Sequence, residues 1–276
     1  MKKYVIGALL VFALLGVGVW FVLAPASATP AVLYIESGIV EVNVGRGWVQ
    51  GTNEMELPRG ASVKTKAGEA TVVFFEGEML SLQPNTEVVL EKVSSKSVAV
   101  SQLAGETWSK VTRLSGIAEY SVKTPSTVAT VRGTEFFLSD EELEVADGVV
   151  DYGTPDDPQK MKVRKFKRAL KGKFVEEDMP VENRARMKKY AERSLRMLSH
   201  VRERELRKHK FLLDQAKQRG LTEDQMRQQM TEIDEGRMSE DELYEKTPLL
   251  LRPKAKRALM LTKEIKKVRQ RMKEFK

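Results

Sequence analysis

The chain of 276 residues has no cysteine and only two histidines, and both shortages exclude kinds of site. Without cysteine there are no disulfides, thiolate metal sites or cysteine nucleophiles. The histidines, His200 and His209, have no third histidine to complete a zinc site. The sequence also lacks a glycine-rich phosphate loop, a Gly-x-Ser-x-Gly elbow and a His-Glu-x-x-His motif. We therefore predict no catalytic residue, no metal site, no cofactor and no enzyme activity.

Acidic and basic residues are distributed unevenly along the chain, which has a formal net charge of +8. Residues 30–158 contain 10 Lys and Arg against 20 Asp and Glu, whereas residues 159–276 contain 35 against 19. The middle of the chain is therefore acidic and its last part strongly basic. Such a change of sign indicates two units with different surfaces.

Residues 4–24 form a run of 21 residues without a charge. As a helix that rises about 1.5 Å per residue, this run would span roughly 30 Å, the thickness of a hydrocarbon core. The apolar region of a signal peptide is shorter, about 7–15 residues. Ala26-Ser27-Ala28 nevertheless offers a cleavage site of small residues. We predict that residues 1–25 form a transmembrane anchor or a signal and favour the anchor; cleavage after Ala28 would give a secreted protein.

The charges beside this run predict its orientation. Lys2 and Lys3 precede it, and positive residues favour the cytoplasmic side of a membrane. We therefore expect a single-pass protein of the cell membrane with its N-terminus in the cytoplasm. The bulk of the chain is expected outside the cytoplasm, in the periplasm or the extracellular space, after a short linker at residues 26–31.

Short alternating runs broken by glycine fill residues 32–152. Runs of this kind at roughly 8–12-residue spacing indicate an all-β domain, either a sandwich or a solenoid-like roll. No span there keeps a helical apolar period over ten residues, so alternating strands and helices are not expected. The predicted strands occupy residues 31–35, 39–44, 70–75, 79–82, 87–90 and 97–100.

One stretch near the end of this region predicts two short strands that meet at a tight corner. Pro125 fixes its own φ and holds Thr124 in the extended region. Gly133 can adopt a positive φ before Thr134 resumes the chain as a strand. Arg132 either contacts a ligand or partner, or ties the corner to a carboxylate or to backbone carbonyls, and the tie is favoured. These five residues are candidates for an interaction site or for a signature of the fold.

Two tryptophans lie in the same region of strands. Core or stacking positions are favoured for Trp48 and Trp108 over a platform that binds carbohydrate. Trp48 stands between Gly47 and Val49, so it is also the candidate for an exposed aromatic side chain in a loop.

The ordered motifs of residues 32–152 are similar to those of the FecR-type domain. The motifs that carry the resemblance are Gly38-x-Val40-x-Val42, Gly60-Ala61-x-Val63-x-Thr65, Gly68-x-Ala70-x-Val72-x-Phe74, Leu80-x-Leu82-x-Pro84-x-Thr86, Gly105-Glu106-x-Trp108-x-Lys110-Val111, Thr124-Pro125 with Val131-Arg132-Gly133-Thr134-Glu135-Phe136, and Val145-Ala146-Asp147-Gly148-Val149-Val150.

The resemblance implies an all-β domain outside the cytoplasmic membrane that senses or relays a signal through protein contacts. In regulators of that type a cytoplasmic anti-sigma region precedes the membrane helix. In this sequence only Met1-Lys2-Lys3 stands at that position. Direct control of a sigma factor is therefore not expected.

The basic part of the chain predicts helices. Residues 153–160 form a turn-rich linker, and residues 161–276 form a basic α-helical domain. Apolar residues at three- and four-residue steps predict helices at residues 182–219 and 254–275. The predicted fold class is α+β by segregation, with a transmembrane helix, an all-β FecR-like domain and a mainly α-helical C-terminal domain.

These features together predict a non-enzymatic envelope protein that is anchored in the membrane. Its exported FecR-like domain would serve protein–protein interaction, scaffolding or signal relay with a protein partner outside the cytoplasm. As an alternative, the basic helices would hold anionic envelope polymer or lipid headgroups. Nucleic-acid binding is disfavoured, because it would require the basic helices to face the cytoplasm.

Overall fold

The structure, a computed structural model, describes most of the chain from residue 31 onward. The described residues are 31–75, 77–112, 116–156, 160–173, 175–208, 222, 228, 231–237, 239 and 252–275. The predicted membrane span and the predicted cleavage site lie outside this set. Among the described residues, no helix combines the length and the apolar character that crossing a membrane requires.

Two nine-stranded sheets pack face to face as a β-sandwich. The first, which we call the covered sheet, has the spatial order β18 (Glu177–Asp178), β17 (Lys167–Leu170), β14 (Glu142–Asp147), β13 (Glu135–Leu138), β10 (Thr107–Lys110), β7 (Glu78–Leu82), β6 (Glu69–Phe74), β1 (Ala31–Ser37) and β4 (Met55–Glu56). The second, which we call the open sheet, has the order β16 (Met161–Arg164), β15 (Val149–Gly153), β12 (Val128–Val131), β11 (Glu119–Lys123), β9 (Ser97–Ala104), β8 (Glu87–Ser94), β5 (Ser62–Thr65), β2 (Val40–Asn43) and β3 (Trp48–Gln50).

Alternate residues of the open-sheet strands other than the edge strand β3 build the core between the sheets. In β2, Val40 and Val42 are buried, whereas Glu41 and Asn43 are only half-buried. This alternation follows from the pleat, which directs successive side chains to opposite faces. The strands β7, β10 and β13 of the covered sheet are buried at every residue, because both of their faces are covered.

The sandwich has two ends, which we call the base and the top. β1 begins at the base with Ala31 and runs to the top, where the chain turns at Gly38 and crosses to β2. β2 runs back to the base, where residues 44–47 connect it to β3. Following the strand pairings across the open sheet puts the turn at residues 124–127 at the top and Arg132 at the base.

Two helices, α1 (Val181–Lys208) and α2 (Arg252–Met272), pack on the outer face of the covered sheet. α1 begins over β14, where Arg186 contacts Glu144, and extends to β1, where it reaches Tyr34. α2 lies beside α1 across the base of the same sheet. The second core between sheet and helices includes Val32, Val73, Met79, Trp108, Phe137, Met187, Tyr190, Ala191, Leu198, Val201, Leu261, Ile265 and Val268.

The coarse fold class is confirmed, because a mostly β structure is followed by a helical part. Each of the six predicted strands overlaps an observed strand, and of the two predicted forms the β part is a sandwich. The helix predicted at residues 182–219 is α1, and its part beyond residue 208 lies outside the described residues. The helix predicted at residues 254–275 is α2.

The region predicted to be helical from residue 161 begins with strands instead. β16 joins the open sheet, and β17 and β18 extend the covered sheet. Val163 and Ala169 are buried among half-buried or exposed basic residues, and Phe166, with a φ of 60°, lies in the turn between them. Sequence reasoning followed the basic composition here, because four-residue strands offer too few apolar positions to reveal a period of two.

A glycine at the top of the sandwich makes the close packing testable. Gly105 has a φ of +82°, and an added Cβ would lie 2.4 Å from Thr86 Oγ1 and 2.5 Å from Thr86 Cα. Gly60 has a similar φ of +81°, but its Cβ would meet no described atom within 4 Å. We expect Gly105→Ala to cost about 1–3 kcal/mol more unfolding free energy than Gly60→Ala, which carries only the left-handed backbone strain. Urea titration measures the difference, and equal losses would contradict this packing.

Candidate interaction surface

Thr124 and Pro125 form the turn between β11 and β12 at the top of the sandwich. The Thr124 amide donates to the Thr127 carbonyl (2.8 Å), and the Thr127 amide donates to Thr124 Oγ1 (2.9 Å). Asp140 accepts from the Thr124 hydroxyl (2.8 Å) and from the Ser126 amide (3.1 Å). Thr124 is buried, whereas Pro125 is exposed at the tip. Both residues therefore shape a turn that Asp140 fastens.

Asp140 is the first residue of an acidic run, Asp140-Glu141-Glu142, that follows β13. Its carboxylate lies 2.6 Å from Lys171 Nζ, and the Glu141 carboxylate lies 3.4 Å from the same ammonium group. The hydrogen bond from Lys171, followed by that from Ser126, holds the pKa of Asp140 well below its ordinary value. The acidic run therefore forms ion pairs with Lys171, and Asp140 holds the turn at residues 124–127 in place.

Gly133 and Thr134 form a second feature at the base, where the chain crosses from β12 to β13. Gly133 has a φ of +78°. The Thr134 hydroxyl donates to the Val149 carbonyl (3.0 Å), and the Thr134 carbonyl accepts from the Val111 amide (2.9 Å). A Cβ added at Gly148 would lie 3.0 Å from the Gly133 carbonyl oxygen. The crossings β12–β13 and β14–β15 therefore lie directly against each other, and Gly133 and Thr134 hold them together.

Arg132 lies at this crossing but takes no part in its bonding. It is exposed, and it makes no hydrogen bond or ion pair with any residue that the structure describes. The favoured tie to a carboxylate or carbonyl is therefore not formed within that part of the chain. The single predicted corner is also two features, because the turn at residues 124–127 and Arg132 are separated by the four residues of β12, roughly 13 Å.

A shallow groove lies beside Arg132 on the outer face of the open sheet. Thr130, Val149, Asp151 and Lys162 contribute to its lining. Lys162 Nζ lies 2.8 Å from Asp151 Oδ1, so these two charges neutralise each other, while Val149 is 43% exposed. Glu119 also lines the groove, which thus combines the unpaired guanidinium of Arg132 and a carboxylate with an apolar surface. A guanidinium binds carboxylate or carbonyl oxygens in a fixed geometry, so this arrangement suits a peptide segment.

Trp48 lies on β3, the edge strand of the open sheet, and is 41% exposed. Lys64 Nζ lies 5.1 Å from the centre of its ring, which is a cation–π contact. The structure therefore places Trp48 at the surface rather than in the core. Trp108, in contrast, is fully buried.

The outer face of the covered sheet is occupied by α1, which an aromatic stack holds in place. Trp108 of β10 stacks on Tyr190 of α1 with ring centroids 5.0 Å apart. Phe137 of β13 stacks on the same tyrosine at 6.1 Å, and the Arg186 guanidinium lies 4.2 Å from the Phe137 ring. Burial raises the pKa of Tyr190 to about 12. This stack fixes α1 over the centre of the sheet.

Arginines of α1 also point into the protein. Arg193 Nε lies 2.5 Å from Glu36 Oε1, and Arg193 Nη2 donates to the Ala70 carbonyl (2.8 Å). Arg202 donates through both terminal nitrogens to the Asp234 carboxylate, at 2.5 and 2.8 Å. Both arginines are buried, and buried charges require such partners. Part of the predicted basic surface is therefore interior.

Four charged residues hold α2 at the base, and we call them the buried charge cluster: Lys110, Glu135 and Glu264, which are buried, and Arg271, which is half-buried. Lys110 Nζ lies 2.7 Å from Glu135 Oε1 and 3.2 Å from Glu264 Oε2. Arg271 Nη1 lies 2.5 Å from Glu135 Oε2, and Arg271 Nη2 lies 3.1 Å from Asp147 Oδ2. The cluster joins the two central strands β10 and β13 to the last helix.

Burial and ion pairing oppose each other in this cluster. Burial alone would raise the pKa of Glu135, but Lys110 and Arg271 lower it to about 2. Burial alone would lower the pKa of Lys110, but the charges of Glu135 and Glu264 raise it above its ordinary value. Both groups are therefore charged at neutral pH and neutralised by their partners.

Sequence reasoning missed these contacts, because it treated the basic residues of the helices as a solvated face. One signal was present for Arg193, which stands three positions after Tyr190 and four before Met197. These spacings put Arg193 on the apolar stripe of α1. A charged residue on such a stripe indicates a buried partner, since charged side chains are seldom buried unpaired.

The histidines were not expected to bind a metal. His200 is half-exposed, its Nε2 lies 3.4 Å from Glu54 Oε1, and its ring meets that of Tyr34 edge-on. His209 lies outside the described residues. Within the part of the chain that the structure describes, no group of three or more His, Asp or Glu side chains is arranged to hold a metal ion.

Glu135 makes the contribution of the buried charge cluster testable. Its pKa is about 2 in the folded chain against an ordinary 4.5, so folding favours the carboxylate. The resulting stabilisation, of order 3 kcal/mol, is complete above pH about 4.5 and is lost as the pH falls through about 2. Glu135→Gln is expected to lower the unfolding free energy at pH 7 by about 3–5 kcal/mol, because Lys110 and Arg271 lose a partner.

Urea titrations at several pH values measure both effects, and Glu135→Gln is also expected to lose that part of the acid dependence. Asp151→Asn is the control, because Asp151 and Lys162 form an exposed pair at the surface. Its unfolding free energy is expected to change by no more than about 1 kcal/mol. The same acid dependence in Glu135→Gln as in the parent chain would contradict the cluster.

Comparison with solved structures gives weak overall similarity. Two crystal structures of a proposed anti-sigma factor from Parabacteroides distasonis ATCC 8503, at 2.50 and 1.65 Å resolution, each align with a TM-score of 0.37 and 17% sequence identity. Each alignment covers 43% of this chain and 59% of the other, so this chain spans less than two thirds of that protein. No curated protein matches the chain with significance.

Comparison with protein families matches residues 61–151 to the family described as FecR protein. The match begins just before β5 and ends within β15. It includes the turn at Thr124 and the crossing at Arg132, Gly133 and Thr134. The predicted resemblance is confirmed over this range, while residues 32–60 of the predicted domain lie outside the match. Residues 61–151 are therefore the FecR-like part of the sandwich.

Proposed function

We propose that the chain is a single-pass membrane protein with its N-terminus in the cytoplasm and its sandwich and helices outside. In this proposal residues 4–24 are the anchor, and the exported part binds another protein without enzymatic activity. The binding serves signal relay or scaffolding at the cell envelope. The FecR match at residues 61–151 and the uncharged N-terminal run support the proposal.

The outer face of the open sheet is the partner surface in this proposal. α1 and α2 fill the outer face of the covered sheet, whereas no described helix packs on the open sheet. Arg132 is the observation that carries the assignment, because its guanidinium is exposed and unpaired among the described residues beside the exposed Val149. A partner with a carboxylate for Arg132 and an apolar side chain for Val149 would complement the groove.

Binding of anionic polymer or lipid headgroups through the helices is the weaker candidate. Arg193, Arg202 and Arg271 of these helices are engaged inside the protein. Exposed lysines such as Lys188 and Lys189 remain, and solvation explains them without a ligand. The interior use of the arginines therefore favours a protein partner on the open sheet.

The absence of cysteine makes the proposed topology directly testable. Lys123→Cys introduces one thiol at an exposed position at the top of the sandwich. A membrane-impermeant maleimide is expected to label this thiol in cells whose cytoplasmic membrane is intact, after permeabilisation of any outer membrane. Alkaline carbonate is expected to leave the protein in the membrane. Protection of the thiol until the cytoplasmic membrane is broken would refute the orientation, and release by carbonate would refute the anchor.

Arg132→Ala tests the partner surface. The variant is expected to keep the unfolding free energy within about 0.5 kcal/mol, because Arg132 makes no bond within the described chain. Affinity purification from solubilised membranes is expected to recover a specific protein with the parent chain but not with Arg132→Ala. Lys188→Ala removes the same charge from α1 and is expected to recover it normally.

Equal recovery with Arg132→Ala and Lys188→Ala would contradict the groove as the partner site. Salt distinguishes a protein partner from anionic polymer. Contacts that depend on exposed charges weaken steeply as salt rises, whereas a partly apolar protein contact persists. Recovery that disappears at moderate salt would therefore favour the polymer.

A further inference from the structure

We propose that the base of the sandwich rests on an anionic lipid surface and that the hairpin tip, residues 44–48, contacts the headgroups. The inference rests on the membrane anchor in the proposed function. β1 begins at the base with Ala31, and only residues 25–30 separate it from the uncharged run at residues 4–24. Six extended residues reach at most about 20 Å, so the base is the end that the anchor holds near the bilayer.

The hairpin tip projects from the body of the sandwich. All five of its residues are exposed. Gly45 and Gly47 have φ values of +92° and +95°, and a Cβ at either position would meet no described atom within 4 Å. Asn43 Oδ1 accepts from the amides of both glycines, at 2.8 and 3.2 Å. A local turn therefore shapes the tip, which leaves its side chains available for an outside surface.

The side chains of the tip suit the boundary between lipid and water. Val44 and Trp48 are 38% and 41% exposed, and Val49, which follows the tip, is 49% exposed, so the tip and its flank present several apolar side chains together. Tryptophan is enriched at membrane interfaces, where its ring lies among headgroups. Arg46 lies between them in the sequence, and Lys64 lies over the Trp48 ring. The Lys64 ammonium is paired with Glu87 at 2.6 Å, so Arg46 is the cation of the tip that attracts anionic headgroups.

Charge around the tip supports an anionic surface rather than a neutral one. Residues 30–158 are acidic overall, with 10 basic against 20 acidic residues. The hairpin side of the base departs from that balance, since exposed cations outnumber exposed carboxylates on its described loops and strand ends. The exposed charges there include the cations Arg46, Arg59, Lys92 and Lys96 and the carboxylates Glu56, Glu91 and Glu119. The domain is acidic overall, but its cations near the proposed anchor would be attracted to a negatively charged membrane surface.

The test uses the full-length chain in lipid nanodiscs, with one introduced cysteine that carries an environment-sensitive nitrobenzoxadiazole dye. Val44→Cys places the dye on the hairpin tip. Leu103→Cys places it on an exposed apolar position near the top of the same sheet and serves as the matched control. The nanodiscs contain phosphatidylcholine alone or mixed with phosphatidylglycerol. Quenching by lipids that carry a nitroxide near the headgroup reports contact.

In nanodiscs with phosphatidylglycerol, the dye at position 44 is expected to be quenched several-fold more than the dye at position 103. High salt or phosphatidylcholine alone is expected to reduce the difference. Arg46→Gln, made in the Val44→Cys chain, is expected to lower the ratio of lipid-bound to free tip roughly fivefold. Lys123→Gln removes the same charge at the top and is expected to have no effect.

Equally weak quenching at positions 44 and 103 in the anionic nanodiscs overturns this proposal even if the chain stays anchored. Release of the chain by alkaline carbonate defeats the proposed anchor instead. The partner groove is tested separately, because none of these variants changes Arg132.

Discussion

The ion pair between Lys110 and Glu135 is the interaction on which the arrangement of sheet and helices depends. Both residues are almost completely buried on central strands of the covered sheet, where an unpaired charge would be strongly destabilising. α2 supplies further partners through Glu264 and Arg271. The helix can therefore lie only where its charged residues meet those of the strands. Apolar contacts hold the helices to the sheet, and the charges determine their position.

The same docking explains why the two sheets differ in sequence. β10 and β13 of the covered sheet are buried at all four residues, because one face meets the core and the other meets the helices. β12 of the open sheet alternates between half-buried and buried residues, because its outer face meets water. A period of two in the sequence reflects this alternation, and β2, β8 and β9 of the open sheet could be predicted for that reason. It does not report what covers a strand that is apolar on both faces.

Other parts of the structure had no local signal. Lys110 and Glu264 are separated by 154 positions, and each taken alone resembles an ordinary surface residue. β16 and β17 have four residues each, and their buried Val163 and Ala169 are hidden in a basic composition that indicated helix. Local pattern predicts which face of an element is apolar. It does not predict which distant charges form ion pairs, and in this structure such ion pairs join the helices to the sandwich.

Residues 124–134, which carry part of the resemblance to the FecR-type domain, have two different roles. Thr124, Gly133 and Thr134 are explained by folding alone, since they build the turn at the top and the crossing at the base. Folding does not explain Arg132, because an exposed charge without a described partner contributes little to stability. These structural residues hold β12 at both ends, so hydrogen bonds fix the position of the backbone beside Arg132. A partner that binds Arg132 would therefore avoid the entropy cost of ordering a loop, which is the advantage of a recognition residue next to a fixed strand.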